Sequence, residues 1–154
     1  MDTDKLDQLN PMSARGFHGS YGYTKPDIAA PGSYITSAAV ATGNNSVTFS
    51  GTSMAAPYVA GSAALVMQSH PTYTPAQVKS ALMNTATHDV RTESGAAYAV
   101  DRVGAGRVDT LAAVQSKSLV YNADKSGTVS LSFGVLEYAP CLLYTSDAAD
   151  ERSS

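Results

Sequence analysis

The chain has 154 residues, with 10 Lys and Arg against 13 Asp and Glu, a formal charge of −3, a single cysteine and no tryptophan. That balance argues against nucleic-acid or anionic-membrane binding, both of which need a basic surface, and one cysteine builds no intrachain disulfide. No apolar run approaches the ~20 residues that span a bilayer. The two ends stand apart from the rest. Cys141–Glu151 reads like the translation of a transposon-end sequencing adapter joined to the gene, so residues 141–154 are expected to be a non-native tail. Without that tail the chain keeps 10 acidic and 9 basic residues and no cysteine. Met1-Asp2-Thr3-Asp4-Lys5 is too polar for a secretory leader, and the expectation is a fragment at both ends.

Residues 1–24 are polar, carry Gly16, Gly19 and Gly22, and read as loop. Tyr34–Val40 and Ser46–Phe49 are short strand candidates on either side of the turn signal Gly43-Asn44-Asn45. Ser53 to Gln68 then reads as a helix that is apolar or small on nearly every face, the pattern of a helix buried in a larger protein. Pro57 fits it only in the first turns, where backbone N–H groups lack intrahelical partners. A second helix is signposted by Thr74 as cap, Pro75 at the first position and Gln77 completing a capping box. Val78, Ala81, Leu82 and Thr85 recur along it at helical spacing. Asp109 to Ser116 is a last short helix. Ser118–Tyr121 and Thr128–Phe133 alternate as strands do, so residues 117–140 read as the opening of a β-rich domain or as a strand extension on the preceding one. The fold class is α/β.

The chemistry concentrates in Gly51-Thr52-Ser53-Met54-Ala55-Ala56-Pro57. Gly51 permits a sharp turn and close backbone approach. Ser53 falls in the first helical turn, where free N–H groups and the positive end of the dipole favour a developing oxyanion. A serine hydroxyl needs a base to take its proton, and the chain offers His18, His70 and His88. His70 follows the helix that Ser53 begins and His88 follows the next helix; both read as helix-end histidines. His18 lies in a glycine- and tyrosine-rich loop and keeps a small claim as a local base. A nucleophile elbow of the esterase type wants Gly-x-Ser-x-Gly, and position 55 is Ala55.

Taken together, these segments resemble the subtilisin-like serine proteases, the subtilases. Around Ser53 the motif is that family's nucleophile motif. Lys25-Pro26-Asp27-Ile28-Ala29-Ala30-Pro31-Gly32 is similar to the segment upstream of it, and Ser13-Ala14-Arg15-Gly16 to the one before that. Val59-Ala60-Gly61-Ser62-Ala63-Ala64-Leu65, His70-Pro71, Thr74-Pro75-Ala76-Gln77-Val78-Lys79 and Gly104-Ala105-Gly106-Arg107-Val108-Asp109 follow in family order. The resemblance runs from about Ser13 to Ala113. Tyr58 departs from it, since the family usually places histidine after the motif's proline; altered packing is expected there.

The resemblance implies the C-terminal part of a three-layer fold with a parallel sheet over residues 1–116, followed by a β-rich, fibronectin-like domain beginning in 117–140. It implies a serine endopeptidase acting on polypeptides through an Asp-His-Ser triad, with Ser53 as nucleophile. In subtilisin the order is aspartate, histidine, serine, with the oxyanion asparagine about 65 residues before the serine. Only 52 residues precede Ser53 here. Aspartate, histidine and asparagine are therefore expected outside this chain, which should be inactive alone. No cofactor is identifiable, although structural calcium is compatible with the family. The implied setting is secreted or cell-surface, in a bacterium. The alternative is a subtilase-like binding or structural module that has lost catalysis; retention of Ser53 speaks for the enzyme.

Overall fold

The computed structural model describes residues 8–16, 23–122 and 129–130. His18, most of the predicted strand Thr128–Phe133 and the tail 141–154 lie outside the described residues. The elements, in chain order, are β1 (Ile35–Ala38), β2 (Ser46–Phe49), α1 (Thr52–Ser69), α2 (Pro75–Asn84), α3 (Val100–Val103) and α4 (Thr110–Gln115).

β1 and β2 form an antiparallel hairpin with Ile35 opposite Phe49 and Ala38 opposite Ser46. Thr36 and Thr48 face each other across it, with hydroxyls 2.7 Å apart. The loop closes through Ala39 N–H to Asn45 O at 2.9 Å, and Ala41 and Gly43 both take positive φ in it. This hairpin is the whole of the regular sheet among the described residues. Among the described residues parallel pairing is confined to one isolated bridge, Ala29 to Arg107.

α1, α2 and α4 pack together around Val66, Val78, Ala81, Leu82, Val108 and Ala113. Ile28, Val59, Ala63, Tyr73 and Leu119 close the margin of this core. α2 starts as its sequence dictates: the Thr74 hydroxyl accepts from Gln77 N–H, and the Gln77 side chain accepts from Thr74 N–H at 2.8 Å. α4 is capped by Asp109, whose carboxylate accepts from Ala112 N–H at 2.9 Å.

Along α1 only Ser62 and Val66 are buried. Leu65 is 50% and Met67 56% exposed, so the apolar helix is covered on one side only among the described residues. Pro57 corrects its expected placement. Helix α1 begins at Thr52, so Pro57 lies past the four free N–H groups, inside the helix. Its missing N–H deprives the Ser53 carbonyl of the donor four residues on.

The segment Gly104–Asp109 is a backbone zipper. Ala105 N–H donates to Asp27 O, Ala29 N–H to Gly106 O, and Val108 N–H to Ala29 O, at 2.8 to 3.0 Å. On its other side Thr87 and Arg107 exchange both backbone hydrogen bonds. Glycine is required twice. Gly104 and Gly106 have φ of 59° and 120°, and a Cβ at either would lie 2.3 Å from a carbonyl oxygen, of Pro26 and Thr87 respectively.

Residues 118–121 form no strand. Val120 O instead accepts from Ser80 Oγ and Asn84 Nδ2, both at 3.0 Å, which fastens this stretch to α2.

Candidate functional site

Ser53 enters its position from the hairpin. β2 ends at Phe49, Ser50 and Gly51 turn the chain, and α1 begins at Thr52. Gly51 has φ 156° and ψ 167°, a region essentially reserved for glycine. Its carbonyl accepts from Met54 N–H at 3.0 Å and Ala55 N–H at 3.4 Å, which starts the helix. The N–H groups of Thr52 and Ser53 come before the first N–H that finds an acceptor in the helix, and no hydrogen bond holds them among the described residues. The residue at 53 is exposed, and no described group hydrogen-bonds its hydroxyl. Two backbone donors at the positive end of a helix of 18 residues thus lie beside a free hydroxyl.

The loop before Ser53 is held by the turn at Gly32–Tyr34. Gly51 N–H donates to Gly32 O at 2.7 Å, and Tyr34 N–H donates to Ser50 Oγ at 2.8 Å. Asn10 Nδ2 donates to Ser33 Oγ at 3.0 Å, bringing the N-terminal segment to the same turn. Met54 is half-buried, and its sulfur lies 3.9 Å from the place a Cβ on Gly51 would occupy.

The histidines are elsewhere. His70 caps the far end of α1, roughly 25 Å along the axis from Ser53 at 1.5 Å per residue. Its Nε2 lies 2.9 Å from Val114 O and its ring stacks on Tyr73 at 4.4 Å, a structural role. His88 is exposed beside the Thr87–Arg107 bridge and makes no hydrogen bond to Ser53. His18 lies outside the described residues.

Asp27, Asp89 and Asp109 are committed to structure too. Asp27 pairs with Lys25 at 2.8 Å and Lys79 at 3.1 Å. Burial pushes the Asp27 carboxyl up, but the two lysines outweigh it and hold it below the usual value. Arg107 grips Asp89 through two nitrogens, with Nε to Oδ1 at 3.1 Å. That contact, against a smaller opposing desolvation, brings Asp89 down to about 2. Among the described residues no three His, Cys, Asp or Glu side chains converge on a possible metal site. A cavity of about 520 Å³ lies between the segments 9–15 and 92–102, and Ser53 is not among its lining residues.

A glycine-led turn that ends a strand and presents an exposed serine in the first turn of a long helix is an architecture of serine hydrolases. The chain belongs to the subtilase family, whose model matches residues 1–131. It is 38% identical over 152 residues to the subtilisin-like protease SBT3 of Solanum lycopersicum, covering 85% of this chain and 20% of that protein. It is 33% identical over 151 residues to a CO(2)-response secreted protease of Arabidopsis thaliana, covering 82% and 19%. A shorter stretch of 71 residues is 55% identical to the subtilisin-like protease SBT2.6 of Arabidopsis thaliana, covering 41% and 9%. The chain thus spans a fifth or less of these relatives. They are plant proteins, so the bacterial setting expected above finds no support in them.

The backbone contact between Gly32 and Gly51 is the part of this site that sequence reasoning missed. The Ala29-Ala30-Pro31-Gly32 segment was visible as a motif, but nothing in its pattern announces that Gly51 is its partner.

Proposed function

We propose that this chain is the nucleophile-bearing part of a serine endopeptidase, with Ser53 attacking the carbonyl carbon of a peptide bond. The carrying observation is the exposed Ser53 hydroxyl, which has no hydrogen-bond partner among the described residues, beside the N–H groups that open α1. In this reading a histidine outside the chain takes the Ser53 proton and later delivers it to the leaving amine, while an aspartate outside the chain orients that histidine. The Ser53 N–H gives one oxyanion donor and an asparagine outside the chain another. The one-sided covering of α1 suits a helix packed against a parallel sheet contributed by other residues of a three-layer domain. We read residues 117–140 as the lead into a following β-rich domain, tethered to α2 through Val120. Residues 141–154 are read as non-native. Substrates are polypeptides, and the relative named as a secreted protease supports a setting outside the cytoplasm.

The test is covalent labelling of the full-length gene product with a fluorophosphonate, followed by peptide mapping. Attack by Ser53 Oγ forms a phosphorus–oxygen bond and expels fluoride. Label on Ser53, blocked by a peptide substrate, supports the reading. A folded protein that leaves Ser53 unlabelled supports the non-catalytic module instead.

A further inference from the structure

We infer that Gly32 is a positioning residue for Ser53, acting through the Gly51 carbonyl; this rests on the nucleophile reading above. Gly32 and Gly51 meet backbone to backbone. Gly51 N–H donates to Gly32 O at 2.7 Å. A Cβ built on Gly32 would lie 2.7 Å from Gly51 O, 3.1 Å from Ala55 Cβ and 3.4 Å from Ala55 N. None of those atoms is the movable end of a flexible side chain, so a methyl group at 32 must displace the backbone itself.

What it would displace matters. Gly51 O is the acceptor for Met54 and Ala55 N–H, the two hydrogen bonds that start α1 on either side of Ser53. Pushing that carbonyl turns the first turn of the helix. Ser53 Oγ and Ser53 N–H then move together away from any fixed substrate. The contact holds the nucleophile and its oxyanion donor as one unit.

A second fastening supports the assignment. Next to Gly32, Tyr34 takes a φ of 55°, which costs energy for a residue with a side chain. Its N–H is held by Ser50 Oγ, the residue just before Gly51. The turn at 32–34 therefore clamps both residues that lead into α1. Tyr34 is 77% exposed, so the strained conformation serves the backbone clamp and buries no ring.

Four variants of the full-length protein test this, assayed on a chromogenic peptide with melting temperature measured alongside. Gly32→Ala is expected to lower kcat by about tenfold to a hundredfold, as an ångström-scale misplacement does, with KM changed less than about twofold. Ser50→Ala removes one hydrogen bond and adds no bulk, so it folds. It is expected to lower kcat about fivefold, the worth of one net hydrogen bond, again with KM held. Ser116→Ala is the control: it too removes one exposed side-chain hydrogen bond, to Ser118 O, at the end of α4, and kcat should not move. A structural role alone would lower the melting temperature and the amount of folded enzyme without splitting kcat from KM. Unchanged kcat in folded Gly32→Ala overturns the inference. If Gly32→Ala does not fold, unchanged kcat in Ser50→Ala overturns it. Ser53→Ala separates the two readings: retained turnover there sinks the nucleophile assignment, while lost turnover there with unchanged kcat in the clamp variants sinks only the role of Gly32.

Discussion

Ser62 Oγ lies 2.7 Å from Thr110 Oγ1, across the interface of α1 and α4. Ser62 is 4% exposed and also reaches Tyr58 O, one turn back, at 3.0 Å. A second side-chain contact, His70 Nε2 to Val114 O at 2.9 Å, ties the far end of α1 to α4. Ser62→Ala leaves the Thr110 hydroxyl without its protein partner. It should cost about 1–2 kcal/mol, and Thr110→Val a similar amount. Denaturation of the two single variants and the double variant should give a coupling energy of about 1 kcal/mol. Additive losses would show that the two hydroxyls do not support each other.

Asp89 titrates at about 2 in the fold, below its ordinary 3.8, because Arg107 holds it. A depressed carboxylate stabilises the fold above its unfolded pKa, and that contribution is lost as pH falls through the folded value. The window is therefore about pH 4 down to pH 2. The side chain is 45% exposed, so solvent screening keeps the contribution below about 1 kcal/mol. The stability difference between the native protein and Asp89→Asn should be present above pH 4 and shrink as pH falls from 4 through about 2. A difference that grows below pH 4 would contradict the pairing.

The capping box of α2, the short helix starting near Asp109 and the hairpin were legible because each is settled within a few residues of chain. Thr74 needs only Gln77. The paired glycines of Gly104–Asp109 were legible as a motif, while their reason was not. Each is pressed against a carbonyl of a distant segment, Pro26 or Thr87. α3 is a single turn of four residues, too short for helical periodicity to register. Ser53 was legible as a nucleophile candidate from its neighbours alone. Its support was not, because Gly32 touches Gly51 across the intervening hairpin. The apolar pattern of α1 was legible also, yet only Ser62 and Val66 are buried among the described residues.

Met54 follows Ser53 directly and is half-buried, with its sulfur near Gly51. Peroxide should convert it to the sulfoxide, a bulkier polar group beside the oxyanion position. Turnover of the full-length enzyme should fall strongly while the fold persists, and Met54→Leu should resist. Peptide mapping that finds Met54 oxidised with the rate intact would contradict the placement of this turn at the catalytic centre.

Residues 1–154 alone should not hydrolyse casein or a peptide substrate. No histidine hydrogen-bonds Ser53 among the described residues, and loss of the triad base costs roughly 10⁶ in turnover. Hydrolysis by this polypeptide that Ser53→Ala abolishes would contradict that expectation and turn attention to His18 as a local base.

The most direct test of the central claim is the turnover of Ser53→Ala in the full-length protein on a peptide substrate. The substitution removes one oxygen from an exposed position and should leave the melting temperature unchanged. The account predicts that kcat falls by about 10⁶, to the level that substrate binding and the oxyanion donors sustain without a nucleophile. A Ser53→Ala enzyme within tenfold of the native kcat would show that the peptide bond is attacked by another group.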